Sequence, residues 1–139
     1  MTTLYAGLMS GTSLDGIDAV LVEASPGGRL CAHHHQPLPM PLRTELLALN
    51  QPAGHDELAR AALAARDLAD AYAQALGALL QAAGVPAHAV RAAGAHGQTV
   101  RHRPELGYTI QLLDAARLAE RTGIDVVADL RSRDVAAGG

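Results

Sequence analysis

The chain has no lysine, no tryptophan and no phenylalanine, and only one cysteine among its 139 residues. All eleven basic residues are arginine, so Schiff-base chemistry is excluded, and so is a Walker-type phosphate loop, which requires a lysine. With three tyrosines (Tyr5, Tyr72, Tyr108) as the whole aromatic content, a core must be built from aliphatic side chains. Cys31 has no internal partner for a disulfide, which fits a reducing compartment; it reads as a small buried apolar residue. A formal net charge of -3 gives no electrostatic case for binding nucleic acid, where a basic stripe is expected. No signal peptide or membrane span is apparent, since the first apolar run is short and interrupted by a polar loop. The expectation is a soluble, cytoplasmic domain with no membrane partner.

The most informative stretch is Met9-Ser10-Gly11-Thr12-Ser13-Leu14-Asp15-Gly16-Ile17-Asp18. It joins two strand-like apolar runs, Leu4–Met9 and Ile17–Glu23, and therefore reads as the connection of a β-hairpin. Glycines let backbone N–H groups approach an oxyanion, and Ser10, Thr12 and Ser13 add hydroxyl donors. Asp15 or Asp18 is then placed to hold Mg²⁺, directly or through water.

Arg29–Gln36 reads as a third strand, and Pro37, Pro39 and Pro41 mark the exit from the sheet. Arg43–Leu49 predicts a short helix, broken at Gln51-Pro52-Ala53-Gly54. A long helix is expected from Asp56 to Ala83, with Leu58, Ala62, Ala65, Leu68, Ala69, Tyr72, Leu76 and Leu79 at helical spacing and Gly84 and Pro86 as its stop. Val90–Ala95 is a small-residue strand leading into His96-Gly97-Gln98-Thr99, and Tyr108–Leu113 is a brief extended piece. Asp114 is a helix cap, Gly123 the C-terminal stop of that helix, and Ile124–Ala128 a final buried strand before the polar run Asp129–Asp134. Three antiparallel strands followed by βαβ alternation predict an α/β domain with a mixed sheet and helices on the sheet faces.

Three polar clusters fall at strand ends: Ser10–Asp18, His96–His102 and Asp129–Asp134. In open α/β sheets that is where ligands sit. The triple His33-His34-His35 is not expected to form a metal site, because side chains alternate along a strand and three in a row do not converge.

Three segments together resemble the anhydro-N-acetylmuramic acid kinase family. Gly7–Asp18 is similar to its N-terminal signature, His96-Gly97-Gln98-Thr99-Val100-Arg101-His102 to its second and Thr122–Gly139 to its third. Leu130 stands where the family usually has phenylalanine, and Leu113 where it usually has glycine. The resemblance implies an actin-like, sugar-kinase fold built from ribonuclease-H-like domains. It also implies ATP-dependent hydrolysis of the anhydro ring of 1,6-anhydro-N-acetylmuramic acid, with phosphorylation of O6, in bacterial cell-wall recycling. By position, Gly11, Thr12, Ser13, Leu14, Asp15, Gly16, Ile17 and Asp18 would be the ATP phosphate turn, with Mg²⁺ linked to Asp15 or Asp18. His96, Gln98 and Thr99 would lie near the sugar, Arg131 or Arg133 would hold the lactyl carboxylate, and Asp129 would accept a sugar hydroxyl or orient an arginine. The resemblance further implies that residues 1–139 are the N-terminal domain of a two-domain kinase. The family's catalytic base and most adenosine contacts would lie beyond Gly139, the isolated chain would turn over little, and the whole protein would be a homodimer. A non-catalytic sugar- or phosphate-binding domain and another actin-like sugar kinase are the competing readings.

Overall fold

The computed structural model describes residues 2–52 and 54–139; Ala53, within the expected helix break, lies outside the described residues. Strands β1 (Leu4–Ser10), β2 (Ile17–Glu23) and β3 (Arg29–Gln36) form an antiparallel meander. Helices α1 (Met40–Leu49) and α2 (Glu57–Ala83) then cross to β4 (Val90–Ala95), which pairs parallel to β1. A separate antiparallel hairpin follows, β5 (Gln98–Arg103) with β6 (Tyr108–Leu112). Helix α3 (Ala115–Thr122) leads to β7 (Val126–Val127), parallel to β4, and α4 (Ser132–Ala136) closes the chain. The five-stranded order is β3-β2-β1-β4-β7, three antiparallel strands continued by two parallel ones, as the sequence predicts.

Alternation along the strands makes the core. Ala6 and Leu8 of β1, Ile17, Ala19 and Leu21 of β2, and Ala93 and Ala95 of β4 all face the helices and are buried. They pack against Leu46 of α1, against Leu68, Tyr72, Ala75, Leu76 and Leu79 of α2, and against Leu118 of α3. The core is aliphatic apart from Tyr72, as the composition requires.

Several elements depart from expectation, each for a physical reason. Helix α1 begins three residues before Arg43, because Pro41 in the first turn costs no hydrogen bond. Leu58 and Ala62 are exposed rather than buried: the first turns of α2 run beside the β5–β6 hairpin, where Leu58 borders a shallow pocket with Leu49, Val100 and Ile110. Gln98–Arg103 is a strand, hidden in the sequence by the polar run Arg101-His102-Arg103, and Tyr108–Leu112 pairs with it rather than joining the main sheet. The last strand shrinks to two residues, although Ala93 still donates to the Asp125 carbonyl. The run Asp129–Asp134 holds the start of α4, anchored by buried Val135. Cys31 is exposed, not buried, because β3 is an edge strand and a register shift opposite Leu21 and Val22 breaks its alternation.

Asp114 caps α3 as expected, its carboxylate accepting from the Arg117 backbone N–H at 2.9 Å. Asp114→Ala is expected to lower the unfolding free energy by about 1 kcal/mol, measured by urea denaturation.

Candidate functional site

Strands β1, β4 and β7 are mutually parallel, so their carboxyl ends share one edge of the sheet. Gly11, His96 and Asp129 follow these ends closely, so all three polar clusters begin at that edge.

The turn between β1 and β2 is built by side chains from elsewhere in the fold. The Leu14 N–H donates to the Gly11 carbonyl at 3.1 Å, closing a tight turn. Leu14 itself has φ 56°, rare for a branched aliphatic residue, and its side chain is 2% exposed. Burial of that side chain therefore holds the backbone in a conformation it would otherwise leave. Two further donors fix the turn's carbonyls: Gln98 Nε2 reaches the Gly11 oxygen at 3.0 Å, and Arg43 Nε reaches the Leu14 oxygen at 3.1 Å. Below them, the Tyr72 hydroxyl donates to Ser10 Oγ at 2.8 Å, and Ser10 donates onward to the Gly97 carbonyl at 3.4 Å. Gly16 has no room for a side chain, since a Cβ there would strike the Gln36 carbonyl oxygen and the His35 ring.

With its Gly11 and Leu14 carbonyls engaged, the turn offers its amides. Among the described residues, the backbone N–H groups of Thr12, Ser13, Asp15 and Gly16 donate no hydrogen bond, and Thr12, Ser13 and Asp15 are exposed. Such a row of unpaired amides is a nest for an anion. Leu14 and Ile17 face the core, so their part in any contact is confined to the main chain.

The two carboxylates differ. Asp15 stands on the turn and accepts from Ser13 Oγ at 2.9 Å through one oxygen only. Asp18 lies on the outer sheet face between two imidazoles, His35 Nδ1 at 2.9 Å and His33 Nε2 at 3.1 Å from the same oxygen. These hydrogen bonds, His35 first, hold its carboxyl below the usual aspartate value. His34 points to the opposite face and meets Gln36. Among the described residues, no three His, Cys, Asp or Glu side chains are arranged to hold a metal ion.

The second cluster divides likewise. Gln98 is fully buried, its amide nitrogen on Gly11 and its Oε1 without a partner, so its side chain braces the turn. His96 is half-buried; its Nδ1 donates to the Gly97 carbonyl at 2.9 Å, and its Nε2 makes no hydrogen bond among the described residues. Thr99 accepts from Gln111 and, with Thr12, Asn50, His102 and Tyr108, borders a groove of about 700 Å³. That groove opens directly beside the turn.

In the third cluster, Asp129 has φ 56° and accepts from the Ser132 hydroxyl. Arg131 is half-buried and Arg133 exposed. Of the eleven arginines, eight reach a carboxylate within 4.0 Å and Arg43 reaches a carbonyl. Arg131 and Arg133 reach neither among the described residues. Sequence reasoning did not find Arg43 or Tyr72, which lie 29 and 62 residues from the groups they hold and carry no local signal.

No helix among the described residues is long and apolar enough to cross a membrane. The profile of the anhydro-N-acetylmuramic acid kinase family matches residues 3–139. A protein of that name from Bordetella petrii is 65% identical over 98% of this chain and 36% of its own length. Its namesake from Bordetella avium is 62% identical over 97% and 36%. The Chromobacterium violaceum protein of the same name is 57% identical over 100% and 38%. The chain thus spans little more than a third of the length of these relatives. The sheet order, the turn after β1 and the match across nearly every residue agree: the chain belongs to the anhydro-N-acetylmuramic acid kinase family, with its actin-like, sugar-kinase fold.

Proposed function

We propose that this chain forms one wall of the cleft of a two-domain kinase that opens the anhydro ring of 1,6-anhydro-N-acetylmuramic acid and phosphorylates its O6 with ATP. The observation that carries this reading is the pair of arginines without a partner among the described residues, at the edge that also bears the amide-lined turn. An acidic sugar and a polyphosphate are both anions, and the chain keeps one kind of donor for each. Arg131 and Arg133 would take the lactyl carboxylate, for which a guanidinium fork is well shaped. The amides of Thr12, Ser13, Asp15 and Gly16 would take the phosphates, and His96 Nε2, Thr99 and the groove beside Thr12 would seat the sugar's hydroxyls.

Mg²⁺ fits Asp15 better than Asp18, because Asp15 stands on the turn whereas Asp18 lies on the outer sheet face, hydrogen-bonded to two histidines. When bound there, the ion would neutralise phosphate charge. Phosphoryl transfer depends mainly on positioning and on charge stabilisation, so the chain's contribution is to hold donor and acceptor at one edge. The same reading places the reaction in the cytoplasm and makes the whole protein a homodimer.

The test is a calorimetric titration of the purified chain with 1,6-anhydro-N-acetylmuramic acid and with 1,6-anhydro-N-acetylglucosamine, which lacks the lactyl group. The muramic acid derivative is expected to bind about tenfold or more tightly, as loss of a charged hydrogen bond costs about 1.5–3 kcal/mol. Arg131→Ala combined with Arg133→Ala is expected to erase the preference. Equal affinity for the two sugars in the unaltered chain would overturn the carboxylate assignment.

A further inference from the structure

We infer that Arg43 is a positioning residue for the phosphate turn, setting both its shape and its local charge; this rests on the reading of that turn as the phosphate site. Three observations lead there. First, Leu14 occupies a left-handed backbone conformation, φ 56°, that a leucine leaves unless its surroundings hold it. Second, the group holding its carbonyl is a guanidinium from a different element, Arg43 Nε of α1, at 3.1 Å. The Leu14 carbonyl and the Asp15 N–H belong to one trans peptide and point in opposite directions, so turning that carbonyl onto Arg43 aims the Asp15 N–H away from the guanidinium.

Third, Arg43 has no carboxylate partner among the described residues, although most arginines of this chain have one. It is half-buried beside the turn, and the other N–H groups of its guanidinium make no hydrogen bond among the described residues. A structural strut for one carbonyl needs no charge; an asparagine or a glutamine donates equally well. An uncompensated cation next to unpaired amides is instead what a polyanion requires, and partial burial protects that charge from screening. Gln98 supplies the contrast: it holds the neighbouring carbonyl, Gly11, with a neutral amide and is fully buried.

The experiment measures binding of inorganic triphosphate to the full chain and to Arg43→Met, Arg43→Gln and Arg43→Lys, with amide spectra of Thr12–Gly16 recorded on each. Arg43→Met is expected to weaken triphosphate at least tenfold and to shift those amides in the free protein. Affinity for the anhydro sugar should stay within about twofold. Arg43→Lys is expected to recover most of the affinity, whereas Arg43→Gln recovers the amide positions but not the affinity. Should Arg43→Met fail to fold, the Gln and Lys variants carry the comparison. Equal triphosphate affinity across the folded variants would overturn the role of Arg43 and leave the turn's assignment standing. No binding of triphosphate by the unaltered chain would overturn both.

Discussion

Gly97→Ala is expected to destabilise the chain by about 2–5 kcal/mol, combining a left-handed backbone penalty with overpacking. Gly97 has φ 78°, and a Cβ there would sit 2.7 Å from the Leu112 carbonyl oxygen and 3.2 Å from Leu113 Cβ. A carbonyl in the β5–β6 hairpin cannot rotate aside as a side-chain tip can, so the hairpin must move. Gly97 also accepts from Ser10 and from His96, and the next residue, Gln98, braces Gly11. A shift at this one point therefore reaches two of the three clusters. Gly84→Ala is the control: it shares the left-handed conformation, φ 67°, but a Cβ there meets nothing within 4 Å. Urea denaturation of both variants separates the two contributions. Should Gly97→Ala cost no more than Gly84→Ala, the close approach to Leu112 is not what fixes the glycine.

Tyr72→Ala is expected to cost about 3–5 kcal/mol, the range for removing a large buried ring. Tyr72 is wholly buried, and it is the aromatic ring in an otherwise aliphatic core. Tyr72→Phe isolates the hydroxyl. It strips Ser10 of its donor in a dry environment, with an expected loss of about 1–2 kcal/mol. The two variants also differ with pH. Burial pushes the Tyr72 phenol up from 10.0 to about 12. Between these values the unfolded chain has released the proton and the folded chain retains it, so the unfolded state binds fewer protons and stability falls with rising pH. The contribution is complete below pH 10 and is lost progressively toward pH 12, by about 2–3 kcal/mol in all. The alkaline melting curve of Tyr72→Phe should lack this component. An identical pH dependence in the two proteins would assign the alkaline loss to other groups.

Much of this architecture is legible in the sequence because its signals are local. Alternation in Leu4–Met9 and Ile17–Glu23, helical spacing from Leu68 to Leu79, and the Asp114 and Gly123 caps each fix an element within a few residues. The common edge of the three polar clusters follows from topology, since three parallel strands place their carboxyl ends together. What is not legible depends on distant partners. The β5 strand exists because β6 pairs with it, although Arg101, His102 and Arg103 carry no strand pattern of their own. Leu58 sits at helical spacing but lies alongside a hairpin that the periodicity cannot reveal. Gln98, expected near the sugar, is also a brace, a role invisible in the sequence because its burial is decided by the turn packed above it. Arg43, in a helix with no unusual pattern, meets Leu14 only through the tertiary fold.

The two ends of the main sheet bear on how the chain behaves at high concentration. A sheet border leaves a row of unpaired amides and carbonyls, a template for joining a strand from another molecule. One border here is β7, only two residues long and too short to guide such a joining. The other, β3, is eight residues long, but its register is interrupted opposite Leu21 and Val22, Arg29 begins it, and Pro37 follows it. Polar His33 and His35 stand along its outer face, tied to Asp18. An interrupted, polar border closed by proline is poorly suited to lateral growth, so the hairpin that carries the amide-lined turn is also kept from fibril-like self-assembly.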